Sequence, residues 1–443
     1  MPICIYRFHY LEFLPRCARM TQSRSRIGTL RIAMQITKIK VNNFKSLVDF
    51  EIDLAKFNCI VGLNGSGKST FLQFMSFLSQ LMRGDIGNWL KIREWETTDC
   101  ISWWTTNTTI SFSVNFIDNN SQPGYWSVAY DCVSLYCVKE EIVFNGKTFI
   151  VDNTSEEEIG NYKFYVADNN STFETGTIAF QYEGSILSVF KEKKITDVLE
   201  AIKIIIRDIE SCDLLAPTFL RKGSSVEKSD NIGLCGEKLA AFLWTIGKDK
   251  RDELLIKLRA LFPQVRKIEV HDNDSFQSSL GIPTNLPGKE LSIIEIYNKN
   301  KFGTKPSIIY ANQINDGFLR LVAFLAQKET QSSFLLFDEI ENGINQELVE
   351  YLLKELVEAR QQIVVTTHSP LFLNYLDDEL ARDSVHYFYK TSEGFTRCKK
   401  FFSLPSTSEK LGTLGPGEAI ADTNLYRLNE EIERLDLNKG KED

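Results

Sequence analysis

The chain has 443 residues, 43% hydrophobic and 25% charged, the balance of an ordinary globular protein with room for two or three packed lobes. A net charge of −8 argues against a surface sheathed in nucleic acid, and no run of about 18 apolar residues offers a membrane span. Nine cysteines form no CxxC and four histidines give no zinc spacing, so the thiols read as free ones in a reducing, cytoplasmic compartment.

Residues 1–33 set six arginines against one acid, Glu12, and are expected to be a basic extension upstream of Met34 that is disordered or not translated. Alternation of Ile36, Ile39 and Val41, then of Phe50, Ile52 and Leu54, predicts two strands joined through Asn42-Asn43. Cys59-Ile60-Val61 is a short buried strand ending at Gly62. Phe71, Leu72, Met75, Leu78 and Met82 place a helix from about Lys68 to Met82.

From Thr108 to Phe190 the period changes to two, as in Ile110-Ser-Phe112-Ser-Val114-Asn-Phe116, and Trp126–Cys137 and Glu141–Val151 also read as extended. An antiparallel lobe inserted after the first helix is expected. Helical spacing returns over 195–261, and strands are expected at Val265–Val270 and Leu291–Tyr297. Thereafter strand and helix alternate (Phe334–Phe337, Gln346–Ala359, Ile363–Thr367, Leu371–Leu376), the pattern of a parallel α/β sheet. The tail after Arg434 is polar and expected to fray.

Gly62-Leu-Asn64-Gly65-Ser66-Gly67-Lys68-Ser69-Thr70 fits G-x-x-x-x-G-K-[ST] between an apolar strand and an amphipathic helix. Glycines let successive N–H groups turn inward as an anion nest, and the helix start adds its positive end. ATP is the expected ligand, with Lys68 on the β- and γ-phosphates and Ser69 on Mg²⁺. Phe334-Leu-Leu-Phe337-Asp338-Glu339 is a buried strand with two carboxylates at its C-terminal end, where open α/β sheets bind ligands. Asp338 suits Mg²⁺ and Glu339 suits a general base. Val364-Val-Thr-Thr367-His368-Ser-Pro370 brings a histidine to a neighbouring strand tip, within reach of a γ-phosphate or the attacking water. Asn315 and Asp316, before Gly317, are good caps for a helix over Phe318–Gln327.

In this order the elements resemble the ABC-type ATPase heads of the RecF and SMC group, and above all the compact AAA family ATPases related to OLD-family and two-gene antiphage systems such as Septu. The resemblance rests on Ile39–Ser46, the Gly62–Thr70 loop, Ile314–Arg320, Leu336–Gly343 and Thr366–Pro370. It implies a P-loop NTPase of ABC-head type, with core 34–84 and 306–405, inserted β and helical lobe 85–305, and a C-terminal helix and tail 406–443. It implies that heads pair as a homodimer around two ATP molecules. Each ATP would meet the loop of one copy and Asn315-Asp316-Gly317 of the other, with Asp338 as the Walker B acid, Glu339 as base and His368 as switch histidine. Glu341-Asn342-Gly343 would lie at the seam, and Phe44-Lys45-Ser46 near the nucleotide. Asn315 stands where the family signature carries serine.

Nothing in the sequence supplies an effector. Asp377-Asp378-Glu379 reads as exposed caps rather than a metal site. Trp89, Trp95, Trp103, Trp104 and Trp126 read as core or partner packing, and the basic groups at Lys191–Lys194, Arg221-Lys222 and Lys248–Arg251 as a solvated face. The expected function is ATP hydrolysis that drives a separate effector, a nuclease or toxin, in antiphage defence. A RecF-like ATPase that binds DNA itself, and a non-hydrolysing nucleotide-gated scaffold, are the alternatives.

Overall fold

A computed structural model describes residues 34–153, 160–166, 174–178, 180–190, 197–212, 215–272, 288–296 and 306–439. The basic extension 1–33 and Lys191–Lys194 lie outside them.

Seventeen strands are described, in three sheets. In chain order they are β1 Met34–Asn42, β2 Phe50–Asp53, β3 Phe57–Gly62, β4 Thr109–Asp118, β5 Pro123–Asp131, β6 Tyr136–Phe144, β7 Lys147–Asp152, β8 Gly160–Val166 and β9 Glu174–Ile178. They continue as β10 Ile209–Ser211, β11 Val265–Asp272, β12 Lys289–Glu295, β13 Ser307–Tyr310, β14 Phe334–Phe337, β15 Gln362–Thr366, β16 Val385–Lys390 and β17 Thr396–Lys400.

The central sheet runs β10-β14-β15-β3-β16-β17, parallel except for β17. Both its faces are covered, so its inner strands β14, β15 and β3 are buried, mainly apolar runs rather than alternating ones. Successive side chains still leave opposite faces: Leu335 and Phe337 enter one core, Phe334 and Leu336 the other. The first core holds the helices Asp316–Lys328 and Gln346–Val357 and the C-terminal helices. The second holds the helix Lys68–Arg83, which buries Phe71, Phe74, Phe77 and Leu78 against the antiparallel strands. The parallel order β14-β15-β3 brings the C-terminal ends of three strands side by side. Those ends carry Asp338, Thr367-His368 and Gly62.

Strands β4–β9 do not form a lobe apart. β4 pairs with β1 from Met34↔Asp118 to Asn42↔Ser111, giving one eight-stranded sheet, β2-β1-β4-β5-β6-β7-β8-β9. β2 alone would leave the other edge of β1 unpaired, and β4 satisfies that row of N–H and C=O groups. Alternation cannot show which strands pair, so it could not show this. The expected strands Trp126–Cys137 and Glu141–Val151 are each broken by a turn, at 132–135 and at Asn145-Gly146. At the other expected border, β13 closes a three-stranded sheet with β11 and β12.

The expected C-terminal helix is present, and past Arg434, where polarity predicts fraying, the chain is still helical. A helix runs Leu425–Lys439, with Leu428 and Ile432 buried. The Tyr387 hydroxyl, with one proton to donate, lies 2.7 Å from Asn429 Oδ1 and 3.1 Å from the Leu425 carbonyl, tying this helix to β16.

The tryptophans divide. Trp89 and Trp126 are core, whereas Trp103 and Trp104 are exposed. Asp377 caps the helix Asp378–Ser384 by accepting from the Leu380 N–H at 2.7 Å. Among the described residues no His/Cys/Asp/Glu group has metal-cage spacing, and no helix is long and apolar enough to cross a membrane.

Candidate nucleotide-binding site

The loop after β3 is shaped by its glycines. Gly65 and Gly67 have φ of 76° and 103°, in the region that favours glycine. Gly67 has a second constraint, since a Cβ there would collide with the Thr396 hydroxyl. Lys68 opens the 68–83 helix and is buried, its Nζ donating to the carbonyls of Gly62 at 2.9 Å and Leu63 at 3.2 Å. These bonds fold the lysine back along the loop. Burial lowers its pKa, while the nearby Asp338, Glu339 and Glu341 carboxylates pull it the other way. The Ser66 hydroxyl is buried against Gly62, where a Cβ would meet it at 2.9 Å.

Asp338 ends β14 directly across from the loop. Its Oδ2 accepts from the Ser69 hydroxyl at 2.8 Å, and its Oδ1 accepts from the Thr366 hydroxyl. A serine oxygen beside one carboxylate is a hard oxygen donor set. It fits Mg²⁺, which keeps waters and substrate phosphates as its other ligands, better than an ion that needs a full protein cage. Ser69 and Asp338 would hold that ion, which would supply charge neutralisation between the phosphates.

Glu339 is a non-glycine residue with φ of 47°. Such strain persists only where surroundings over-determine it, and here they do. Its N–H donates to the Thr366 hydroxyl at 2.8 Å, the Ile340 N–H donates to the Thr366 carbonyl at 3.1 Å, and its carboxylate accepts from the Asn342 amide. The left-handed turn separates two consecutive carboxylates into different jobs: Asp338 faces Ser69, and Glu339 stands half-exposed with Oε1 3.8 Å from His368 Nε2. The His368 backbone N–H donates to Glu341 Oε1 at 2.6 Å. His368 and the loop thus border one mouth, with the Glu339 carboxylate beside the histidine. It could place a water between a carboxylate base and a phosphate.

Thr366, in the sequence only the start of the 366–370 stretch, has a role here that spacing does not reveal. One buried hydroxyl links Asp338 to the Glu339 backbone. Thr366→Val keeps the shape but leaves the Glu339 N–H without its acceptor. The bond is only part-buried, so the orphan costs at most about 1–3 kcal/mol. We expect a lower thermal midpoint and lower ATP turnover in Thr366→Val, both recovered in Thr366→Ser. A Val variant with wild-type midpoint and turnover would count against this bridge.

The remaining expected residues lie further out. Asn315 caps the 316–328 helix, its Oδ1 accepting from the Phe318 N–H at 2.8 Å. Asp316 pairs with Arg221 at 2.5 Å, and a Cβ on Gly317 would meet the Gly343 carbonyl at 2.9 Å. Among the described residues, no hydrogen bond or ion pair joins Asn315–Gly317 to the loop of the same chain. Lys45, with φ of 49°, donates to Gln73 Oε1 at 3.0 Å and lies 3.2 Å over the Trp95 ring. Burial brings its pKa down to about 8. It therefore stands against the first turns of the 68–83 helix, beside rather than inside the phosphate loop. Thr70, partly exposed, lies in the first turn of that helix.

Beside the loop, a cavity of about 670 Å³ is bounded by Asn64, Ser66, His368, Lys390 and Tyr426.

A family model described as an AAA ATPase domain matches residues 34–215, and one described as an AAA domain, putative AbiEii toxin, Type IV TA system, matches residues 241–374. Among solved structures, an SMC head bound to the C-winged helix domain of ScpA is 17% identical, with TM-score 0.41 over 82% of this chain and 96% of that one. The SMC head domain from Thermotoga maritima is 13% identical, with TM-score 0.39 over 82% and 98%. A Pyrococcus furiosus Smc head with extended coiled coil, bound to the C-terminal domain of ScpA, is 14% identical, with TM-score 0.42 over 83% and 96%. No curated protein matches the chain.

Proposed function

We propose that this chain, an ABC/SMC-like AAA ATPase, binds ATP with Mg²⁺ at Gly62–Thr70, hydrolyses it with Glu339 as general base, and pairs with a second copy in doing so. The observation that carries the reading is the convergence of Lys68, Ser69, Asp338, Glu339 and His368, from three adjacent strand ends, on one loop. Lys68 and the loop N–H groups bind the phosphates. Glu339 takes a proton from the attacking water, and His368 orients that water or the γ-phosphate.

Pairing is supported by the position of Asn315–Gly317. These residues start a 13-residue helix, yet they lie apart from the loop of their own chain. Asn315 caps with Oδ1, which leaves its Nδ2 hydrogens as donors for the phosphate of a partner's ATP. The closing motion would act on a separate effector, a nuclease or toxin, in antiphage defence. No segment of the described chain has the look of an effector site of its own.

Turnover per protomer, measured against protein concentration, tests the pairing. It should rise as heads associate and then level off. Turnover independent of concentration, from a chain that stays monomeric with ATP, would remove pairing from this account. ATP-dependent, salt-sensitive binding of duplex DNA by the chain alone would instead favour direct DNA action.

A further inference from the structure

The β16–β17 hairpin lies more than 300 residues beyond the phosphate loop in sequence, yet it touches the loop at its most constrained point. Thr396, fully buried, donates its hydroxyl proton to the Ser66 carbonyl at 3.0 Å. The same oxygen accepts from Lys390 Nζ at 3.1 Å and stands 2.8 Å from the Ser46 hydroxyl. The Thr396 N–H donates to the Ser46 carbonyl at 2.8 Å. Lys390 also donates to the Gly394 carbonyl at 3.0 Å, closing the hairpin's own turn.

A trans peptide is planar, so its C=O and N–H point in opposite directions. Fixing the Ser66 carbonyl against Thr396, outside the loop, therefore fixes the Gly67 N–H toward the inside. The opposite orientation would present a carbonyl oxygen to the phosphates. The excluded Cβ at Gly67 shows how closely Thr396 is applied to this peptide.

We infer that Thr396, held by Lys390 and Ser46, is a positioning residue for ATP: it locks the Ser66–Gly67 peptide in the orientation that turns its N–H toward the triphosphate. This rests on the reading of the loop as the ATP site. Lys390 suits the task because it is half-buried, meets no carboxylate among the described residues, and has a pKa brought down to about 8 by burial. Its protons are directed at two oxygens of the hairpin rather than spent on an ion pair.

The test is titration of the purified full chain with a non-hydrolysable ATP analogue, with a melting curve recorded without nucleotide. Thr396→Val should weaken binding about tenfold, the equivalent of one well-made hydrogen bond, and should raise KM for ATP by a larger factor than it lowers kcat. Thr396→Ser should restore affinity, because it keeps the hydroxyl. Lys390→Met, which leaves the buried threonine in place, should weaken binding in the same direction by a few-fold. Wild-type affinity in Thr396→Val overturns the inference. So does a lowered melting point with affinity that Thr396→Ser does not recover, since that pattern means packing alone. Failure of the wild-type chain to bind the analogue is a different result: it overturns the ATP-site reading itself.

Discussion

Glu339→Gln is expected to lose steady-state ATP hydrolysis by about 10²- to 10⁴-fold while still binding ATP, the scale on which a positioned general base acts. The substitution is nearly isosteric. Glutamine can still accept from the Asn342 amide, and the backbone bonds to Thr366, which hold the left-handed turn, do not involve the side chain. What is removed is the basic oxygen beside His368. Lys68, Ser69 and Asp338 are untouched, so nucleotide and metal should still be held. The measurement is phosphate release under saturating ATP, alongside equilibrium binding. Hydrolysis at the wild-type rate would disprove the assignment of Glu339. A joint loss of binding and turnover would instead mean that the 339–342 turn had collapsed.

Lys68→Met should do the opposite, with affinity for ATP falling first. Lys68 is a buried cation held by two carbonyls and surrounded by three acids. A charge-assisted hydrogen bond is worth about 1.5–3 kcal/mol, and Lys68 would make such bonds to two phosphates, so the loss should be about 100-fold or more. Methionine fills the same volume in the buried groove, which keeps the loop's packing. ATP titration by calorimetry, compared with Glu339→Gln, separates binding from chemistry. Equal affinities in the two variants would contradict the roles given to both residues.

The two residues differ in how visible they are in the sequence. Lys68 sits in an eight-residue pattern whose specified positions have a local physical reason: a strand end, glycines that free the backbone, a helix start. Glu339 is read from an apolar run followed by two acids, and that run alone does not tell the two carboxylates apart. Their division of labour comes from the φ of 47° at Glu339 and from the Thr366 hydroxyl across the strand gap. Neither is a property of residues 334–339.

The middle of the chain gives the same lesson at larger scale. Alternation from Ile110 to Phe116 correctly marks a strand, since it reports one buried and one less buried face. It says nothing of the neighbour, and the neighbour is β1. A lobe in sequence is therefore the continuation of a sheet in space. At the C-terminal end, polarity after Arg434 suggests fraying, but the helix anchored by Leu428, Ile432 and the Tyr387 contacts continues to Lys439.

By itself the sequence determined the local elements of this protein: the glycine loop and its helix, the buried strands, the caps at Asn315 and Asp377, and the residue types suited to a triphosphate and Mg²⁺. Each depends on interactions within a few residues, which spacing records. The tertiary structure decided what surrounds them. It set Thr366 between Asp338 and Glu339, brought Thr396 and Lys390 against Gly67, and joined β4 to β1. These are contacts between groups 27 to more than 300 residues apart, fixed by strand order and by the burial of two cores, and a pattern read along one chain has no term for either.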